Sequence, residues 1–437
     1  MAQTSLKTLA LLGSLAIGSA AVAVAQDSGP IIDKLVAKGL LTDQEGEDLR
    51  TEMLKDFGSS PAGKLNVSSS ISEFKISGDM RLRQQLESQS TTTAPSVDNE
   101  RSRTRLRFRL NGDIALQQGW TTGFALETAS ASDSGNQTFE NDSADYGISL
   151  SRAFIGYTNG DFTFAGGKQR NPFYTTDLVW DGDINPQGLT EQYKFEVGKT
   201  GVFTVRAGQF NVFDNSEAST ANNNDMDAWM FYQQIEYSQK LTDKSSLKLA
   251  PGFFTYNDTN IGSTTNEDGF AGSTEYLKVF VLPGEVSVKD VGGTGRSLKV
   301  YGDVAYNTDA QDRVRKVYAV TNARANKTDP LAWLAGVSYG QGEGKVSGDW
   351  KVSLDYREIG LGSIDPNTND SDFAFSNLNQ TGYKLTGSYN VTAFTTINAT
   401  FMQTAEMQNL VGAGGGDPGV ANLDKSQLFQ LDMVLKF

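Results

Sequence analysis

The chain contains neither cysteine nor histidine in its 437 residues. Without cysteine there is no disulfide framework and no thiolate chemistry. Without histidine, Ser-His-Asp catalysis, Asp-His proteolysis and His-ligated metal sites are excluded together, so an enzyme is not expected. Long hydrophobic runs are missing as well. Beyond Ala25 the sequence holds no stretch of about 18 or more apolar residues, the length a bilayer-spanning helix requires. There is no basic tail, and the formal net charge is -14, which argues against a nucleic-acid partner.

What is present begins with an export pattern. Lys7 is the one charge before Asp27, an apolar stretch runs from Leu9 to Val24, and Ala23 and Ala25 form an A-x-A site. A signal peptide is expected over residues 1–25, with the mature chain starting at Gln26. Only helices and closed barrels satisfy their backbone groups inside a membrane. An exported chain without spanning helices is therefore either soluble outside the cytoplasm or a barrel. Composition favours the barrel: 45 Gly and 10% aromatics accompany only 38% hydrophobic residues and a mean hydropathy of -0.38. A wide barrel needs one apolar face turned outward, because its interior is wet.

Residues 26–63 read as a short helical segment followed by a linker. Pro30 suits a first helical turn, and Ile31, Ile32, Leu35 and Val36 share an apolar face. Thr42 and Glu45 form a T-x-x-E capping box that opens a second helix, with Leu49, Met53 and Phe57 spaced four apart. Two roles fit: a periplasmic module contacting other subunits or the cell wall, and a spacer packed on the barrel base.

From Lys64 to Phe437 the pattern is β throughout. One segment fixes the phase. Leu106, Phe108, Leu110, Gly112, Ile114 and Leu116 take one parity, while Arg101, Arg103, Arg105, Arg107 and Arg109 take the other. Successive strand side chains point to opposite faces, so one face is greasy and the other is a guanidinium ladder. Like charges this close need water and counter-charges around them, which a lumen wall supplies. The ladder is therefore placed on the inner wall at Arg105, Arg107 and Arg109, with Arg101 and Arg103 at the rim. Lys75, Arg81 and Arg83 on the preceding strand extend the same wall. Between Tyr146 and Tyr157 the phase cannot be assigned around Arg152.

The expected fold is an all-β transmembrane antiparallel barrel spanning residues 64–437. About 15 strand-like segments are visible, and single-chain bacterial barrels have even strand numbers, which makes 16 the best match beside 14 and 18. Polar irregular stretches such as 88–100, 257–273, 364–379 and 408–425 are read as loops.

The last strand is the most specific signal. Phe429, Leu431, Met433, Leu435 and Phe437 alternate with Gln430, Asp432, Val434 and Lys436. It resembles the terminal strand of outer-membrane barrels, in which the final Phe is read by the barrel-assembly machinery. A second resemblance rests on the run NPFY…TDLVWDGDINPQG after a strand reading FTFAGGKQ. Together with the N-terminal helices and the terminal Phe, it is similar to the porin family of Gram-negative outer membranes. The resemblance implies a bacterial outer-membrane location, contact with its lipids, homotrimeric assembly, no cofactor, and passive diffusion of small hydrophilic solutes. It makes Asp177, Asp181 and Asp183 candidates for an acidic wall facing Arg81, Arg83, Arg103, Arg105, Arg107 and Arg109. The stretch 171–189 is open to two placements, inside the pore or outside it. The Asp-Gly-Asp run within it is too short to specify a Ca²⁺ site. An anion-selective channel for phosphate, sulfate or carboxylates and a non-conducting structural or adhesive barrel remain the competing readings.

Overall fold

The computed structural model describes residues 29–59, 68–91, 98–129, 135–140, 145–213, 227–257, 274–316, 328–408 and 423–437. The expected signal peptide and most of the linker lie outside them. The chain divides after Ser68 into two units.

The first unit holds helices α1 (Gly29–Ala37) and α2 (Asp43–Ser59). The capping box forms reciprocally: the Glu45 N–H donates to Thr42 Oγ1 (3.2 Å) and the Thr42 N–H to Glu45 Oε2 (2.8 Å). The Thr42 backbone N–H bond holds the Glu45 carboxyl below its usual range. Arg50 bonds Glu47 on its own helix (2.8 Å) and Asp33 on α1, tying the pair together.

The second unit is a closed antiparallel barrel of sixteen strands. In chain order they are β1 (Ile71–Thr91), β2 (Asp98–Leu116), β3 (Trp120–Thr128), β4 (Ile148–Asn159), β5 (Phe162–Lys168) and β6 (Gln187–Val197). Next come β7 (Gly201–Phe213), β8 (Ala228–Thr242), β9 (Ser245–Leu249 continued by Gly252–Tyr256) and β10 (Lys278–Val281 continued by Gly284–Val288). The last six are β11 (Arg296–Asn307), β12 (Leu331–Gln341), β13 (Trp350–Ile359), β14 (Gln380–Asn390), β15 (Thr395–Glu406) and β16 (Leu423–Lys436). Strands β9 and β10 are each interrupted by a proline, Pro251 and Pro283, which has no N–H to give the ladder.

Closure is made by β16 on β1, in register from Asp79↔Lys436 to Thr91↔Leu423. At its foot, Gly78 and Phe437 exchange backbone bonds of 2.8 and 3.1 Å. The Phe437 ring lies so close to Gly78 that a Cβ there would come within 2.5 Å of it. A glycine is therefore required for the terminal ring to lie flat against the seam.

The alternation seen in sequence becomes two faces. Met80, Leu82, Leu86, Val300, Val304, Val352, Leu354, Leu431 and Met433 are exposed on the outer face, while Arg83, Arg107 and Asp432 on the opposite parity are buried. The unassigned phase around Arg152 has a cause. Leu126 pairs with Leu150 but Ala125 with Arg152, so Ser151 is an extra, bulged residue. The bulge keeps Ile148, Leu150 and Ile155 exposed while sending Arg152 inward.

Seven connections of two to eight residues lie at one end: 117–119, 160–161, 198–200, 243–244, 289–295, 342–349 and 391–394. At the other end one connection, 92–97, is as short, and the rest are longer. Two of these, 169–186 and 360–379, are described throughout and turn back into the barrel. They correct one expectation: the stretch 364–379 is a loop as read, but it is largely buried, and the interior is not wet throughout. Leu178, Val179, Trp180, Leu361, Ile364 and Phe373 form an apolar core with inward side chains of the wall such as Phe210, Tyr232 and Phe254. A loop that enters a lumen needs somewhere to bury its apolar side chains, and the wall supplies it. The helix α3 (Ala310–Lys316) adds Val314 to this core.

Candidate functional site

Strand pairing builds the basic wall. In register, Arg81 faces Arg107 and Arg83 faces Arg105 across the β1–β2 ladder, with Arg103 opposite Gln85 and Arg109 opposite Asp79. Six guanidinium groups thus crowd one patch of inner wall, and the structure meets their repulsion with carboxylates on β1 and the adjoining β16. Asp79 accepts from Arg107 (3.0 Å) and Arg109 (2.7 Å). Glu87 accepts from Arg103 (2.7 Å). Asp432 of β16 takes Arg83 in a two-pronged bond of 2.7 and 2.9 Å and lies 4.0 Å from Arg81. Arg105 stands apart. Its partners are neutral, Gln85 Oε1 (3.4 Å) and the Asn136 carbonyl (3.2 Å), and no carboxylate among the described residues lies within 4.0 Å. Arg101 sits further along with Glu140, well exposed.

The segment 169–186 crosses from the far wall to this one. Phe173 stacks on Tyr232 of β8 at 4.0 Å, and the Tyr174 N–H donates to Gln234 (2.9 Å). The Tyr174 hydroxyl donates to Glu285 of β10 (3.0 Å), and Thr176 to Asp303 of β11 (2.7 Å). Burial and the Glu285 charge push the Tyr174 hydroxyl well above its usual range. Asp177 then reaches Lys384 on β14 (2.9 Å), and Asp183 comes to 3.6 Å from Arg107 and 3.7 Å from Arg109 on β2. A segment that touches β8, β11, β14 and β2 of a closed barrel runs through its lumen.

The segment 360–379 lies beside it. Asp370 is clamped by Arg357 of β13 (3.0 Å) and Lys384 (2.9 Å), and Asp372 meets Arg83 (3.6 Å) and Gln430 (2.9 Å). Burial alone would raise the Asp370 pKa, but the two cations bring it far below the usual carboxylate range. The loops hold each other directly. The Asp181 N–H donates to the Thr368 carbonyl (2.6 Å), and the Asp370 N–H to the Asp177 carbonyl (3.1 Å). Ser371 donates from N and Oγ to Asp181 Oδ2 (3.1 and 3.0 Å). Burial pushes the Asp181 carboxyl up to about 6.

Of the three aspartates singled out in sequence, only Asp183 faces the arginine ladder. Asp177 serves Arg357 and Lys384, and Asp181 locks one loop to the other. The residues that sequence missed are the in-wall partners Asp79, Glu87 and Asp432, and the cluster Arg357, Asp370, Asp372 and Lys384. Asp79, Asp432, Arg357 and Lys384 carried a usable signal, an inward parity on their strands. Asp370 and Asp372 lie in an irregular loop with no periodicity to reveal them.

Between loops and wall lies a cavity of about 330 Å³. Arg81, Arg83, Arg103, Arg105 and Lys384 line it, and so do Asp177, Asp181, Asp183, Asp370 and Asp372. Such a site orients charge across an opening. Among the described residues no group of three or more acidic side chains is placed to hold a metal.

A family model described as "Putative porin" matches residues 62–279 and 269–437. No curated protein sequence matches. Similar solved structures include OprB of Pseudomonas putida, at 12% identity over 84% of this chain and 94% of that one, with a TM-score of 0.49. The anion-selective porin of Comamonas acidovorans is 12% identical over 84% and 99%, with a TM-score of 0.45. A triple mutant of the Rhodopseudomonas blastica porin is 11% identical over 84% and 100%, with a TM-score of 0.40.

Proposed function

Since the chain belongs to the porin family that matches it from residue 62 to residue 437, we propose that its outer-membrane channel passes small hydrophilic solutes by passive diffusion through an eyelet formed by both inward loops and the arginine wall. The observation that carries this reading is the charge balance of the cavity: five cationic side chains and five carboxylates line it. Equal numbers of opposite charges on separate surfaces give a field across the opening and little net potential along it. Polar solutes of either sign then pass, filtered mainly by width. No chemistry is performed on them.

Arg105 and Asp183 are the residues through which permeating ions feel the two walls. Reversal potentials in asymmetric KCl test this: Arg105→Ala should shift selectivity towards cations and Asp183→Ala towards anions. No shift in either variant refutes the assigned eyelet, and failure of the unmodified barrel to conduct favours a structural or adhesive role.

One observation supports a second reading, a channel that binds anions. Arg105 has no carboxylate among the described residues within 4.0 Å, so phosphate, sulfate or a carboxylate would complete its coordination. A current that saturates with such an anion distinguishes binding from simple sieving. Export by a cleaved signal over residues 1–25, recognition of Phe437 by the barrel-assembly machinery and assembly as a homotrimer complete the proposal.

A further inference from the structure

Between the eyelet and the short turns, the inner wall of β10 to β16 changes character. Two consecutive inward rows cross it in register. One reads Ser287, Lys299, Ser338, Ser353, Thr386 and Thr400 from β10 to β15. The next sets Lys351, Ser388 and Asn398 side by side and reaches Asp432 on β16, which Arg83 already holds. Neither row carries an apolar side chain, and before Asp432 neither carries a carboxylate. The wall here consists of hydroxyls, amides and ammonium groups.

A cavity of about 600 Å³ opens on this wall at the short-turn end, lined by Lys299, Lys351 and Lys436 together with Ser338, Ser388 and Asn398. Unlike the eyelet, it is not balanced in charge. Its two carboxylates are engaged by the 342–349 turn and its neighbour. Asp349 accepts from the Lys345 and Val346 N–H groups (3.0 and 3.2 Å), and Glu343 pairs with Lys345 (2.8 Å) and with Lys289 (3.7 Å), the fourth lysine of the cavity. Lys299 reaches Glu285 (3.3 Å), which also takes the Tyr174 hydroxyl. Lys351 and Lys436 pair with no carboxylate among the described residues, and Lys436 and Lys299 are close enough to Lys351 for their charges to act on it. Lys436 stands in register with Asp79, but that carboxylate is taken by Arg107 and Arg109. Ser388 and Asn398 make no side-chain hydrogen bond among the described residues, although they are neighbours in register. Two uncompensated ammonium groups beside idle donors make a site that lacks its anion.

We infer that this cavity binds a hydroxylated phosphomonoester, such as a sugar phosphate. Its charge at neutral pH, about -1.5 to -2, matches the two unpaired ammonium groups. Lysine holds phosphate as a point charge, so no guanidinium fork is needed. Ser338, Ser388 and Asn398 both donate and accept, which suits the hydroxyls of the organic part. The volume is that of a small-molecule site, about 300–1,000 Å³, and leaves room beyond an inorganic anion. Position along the pore fits as well. Lys351 is four residues along β13 from Asp355, which stands in register with Lys384 of the eyelet. That is about 13 Å of strand, so a solute leaving the eyelet meets this cavity next. In an outer-membrane barrel the short turns face the periplasm, which makes it the exit side. The inference rests on the porin reading and names a solute class for it.

The test is isothermal titration calorimetry of the full chain in nonionic detergent, with glucose 6-phosphate, inorganic phosphate and glucose as probes. Saturable binding of glucose 6-phosphate is expected, with weaker binding of inorganic phosphate and none of glucose. The double variant Lys351→Met/Lys436→Met should weaken glucose 6-phosphate by about tenfold or more, the loss of two charged hydrogen bonds. Lys345→Met removes one ammonium group from the neighbouring turn, outside the cavity, and should leave the affinity unchanged. A second pair, Ser388→Ala/Asn398→Ala, keeps every charge and should weaken the sugar phosphate while sparing inorganic phosphate. This pair carries the test should the lysine variant fail to fold, which heat-modifiable gel mobility reports. An affinity that survives the double lysine variant, or falls as far on Lys345→Met, overturns the inference. Loss of binding on Arg105→Ala alone would place the anion at the eyelet and overturn it too. Tighter binding of tartrate than of glucose 6-phosphate would overturn the ester assignment. Conductance is recorded in parallel. A barrel that conducts but binds no ester sinks this inference alone, and one that binds the ester but does not conduct refutes the porin reading alone.

Discussion

Arg357 shows how much one side chain can hold. It is 1% exposed, touches Asp355 (2.7 Å), Asp370 (3.0 Å) and Asp177 (3.6 Å), and lies over the Phe373 ring at 4.8 Å. Removing it leaves buried carboxylates without their main partner, a change that costs about 3–5 kcal/mol in comparable buried clusters. Arg357→Ala should lower the midpoint of urea-induced unfolding and free the 360–379 segment to proteolysis, whereas Arg101→Ala, exposed near the rim, should change neither. Equal effects from both would show that the cluster does not anchor the loop.

Asp181 gives a pH dependence whose sign follows from its burial. Its pKa of about 6 in the docked loops lies above the ordinary aspartate value, so the docked state binds the proton more tightly than the released state. Docking is therefore strengthened as pH falls through about 6, is fully strengthened below the ordinary value near 4, and loses this contribution again as pH rises. Asp183 and Asp370 lie close enough for their charges to act in the same direction. Current fluctuations from loop release should decline between about pH 7 and pH 5, and Asp181→Asn should flatten that dependence. A variant that keeps the full dependence would assign it to another group.

At the scale of elements, the two inward loops set the width and the seam sets the closure. Replacing 171–185 with a short Gly-Ser turn removes the segment that crosses the lumen, so conductance should rise severalfold and the response to Arg105→Ala should shrink. Unchanged conductance would mean that the constriction lies elsewhere. Gly78→Leu drives a side chain into the Phe437 ring and should leave β16 poorly zipped onto β1, seen as a lower fraction of heat-modifiable folded barrel. Gly387→Leu, where nothing lies within 4 Å of the added Cβ, is the matched control.

Element by element, legibility followed periodicity. The β2 ladder and the terminal strand could be read because each keeps strict alternation, and an inward Arg beside an outward Leu leaves one consistent phase. The same rule gave Asp79 and Asp432 their faces without saying whom they would meet. Strand β4 failed for an equally local reason: one extra residue at Ser151 shifts the parity, and a bulge has no compositional mark. The loop at 364–379 could be read as a loop from its Asn, Asp and Ser content, but that content does not say on which side of the wall the loop lies. In the fold those groups bond inside the lumen, where polarity marks a partner and not water.

Over the whole molecule, the sequence by itself determined that strands would cross the membrane and which way most of their faces would turn. It did so because lipid outside and a largely polar wall inside impose a period of two on every strand that spans. The basic wall on β1 and β2 followed from the same constraint, whereas the even strand number came from the general rule for single-chain barrels. Only the tertiary structure decided where the acids meet the arginines and that 169–186 and 360–379 lock together inside the barrel. Each of these depends on register between strands or loops far apart in the chain. A pattern within one strand fixes its faces but carries no information about which residue stands beside it.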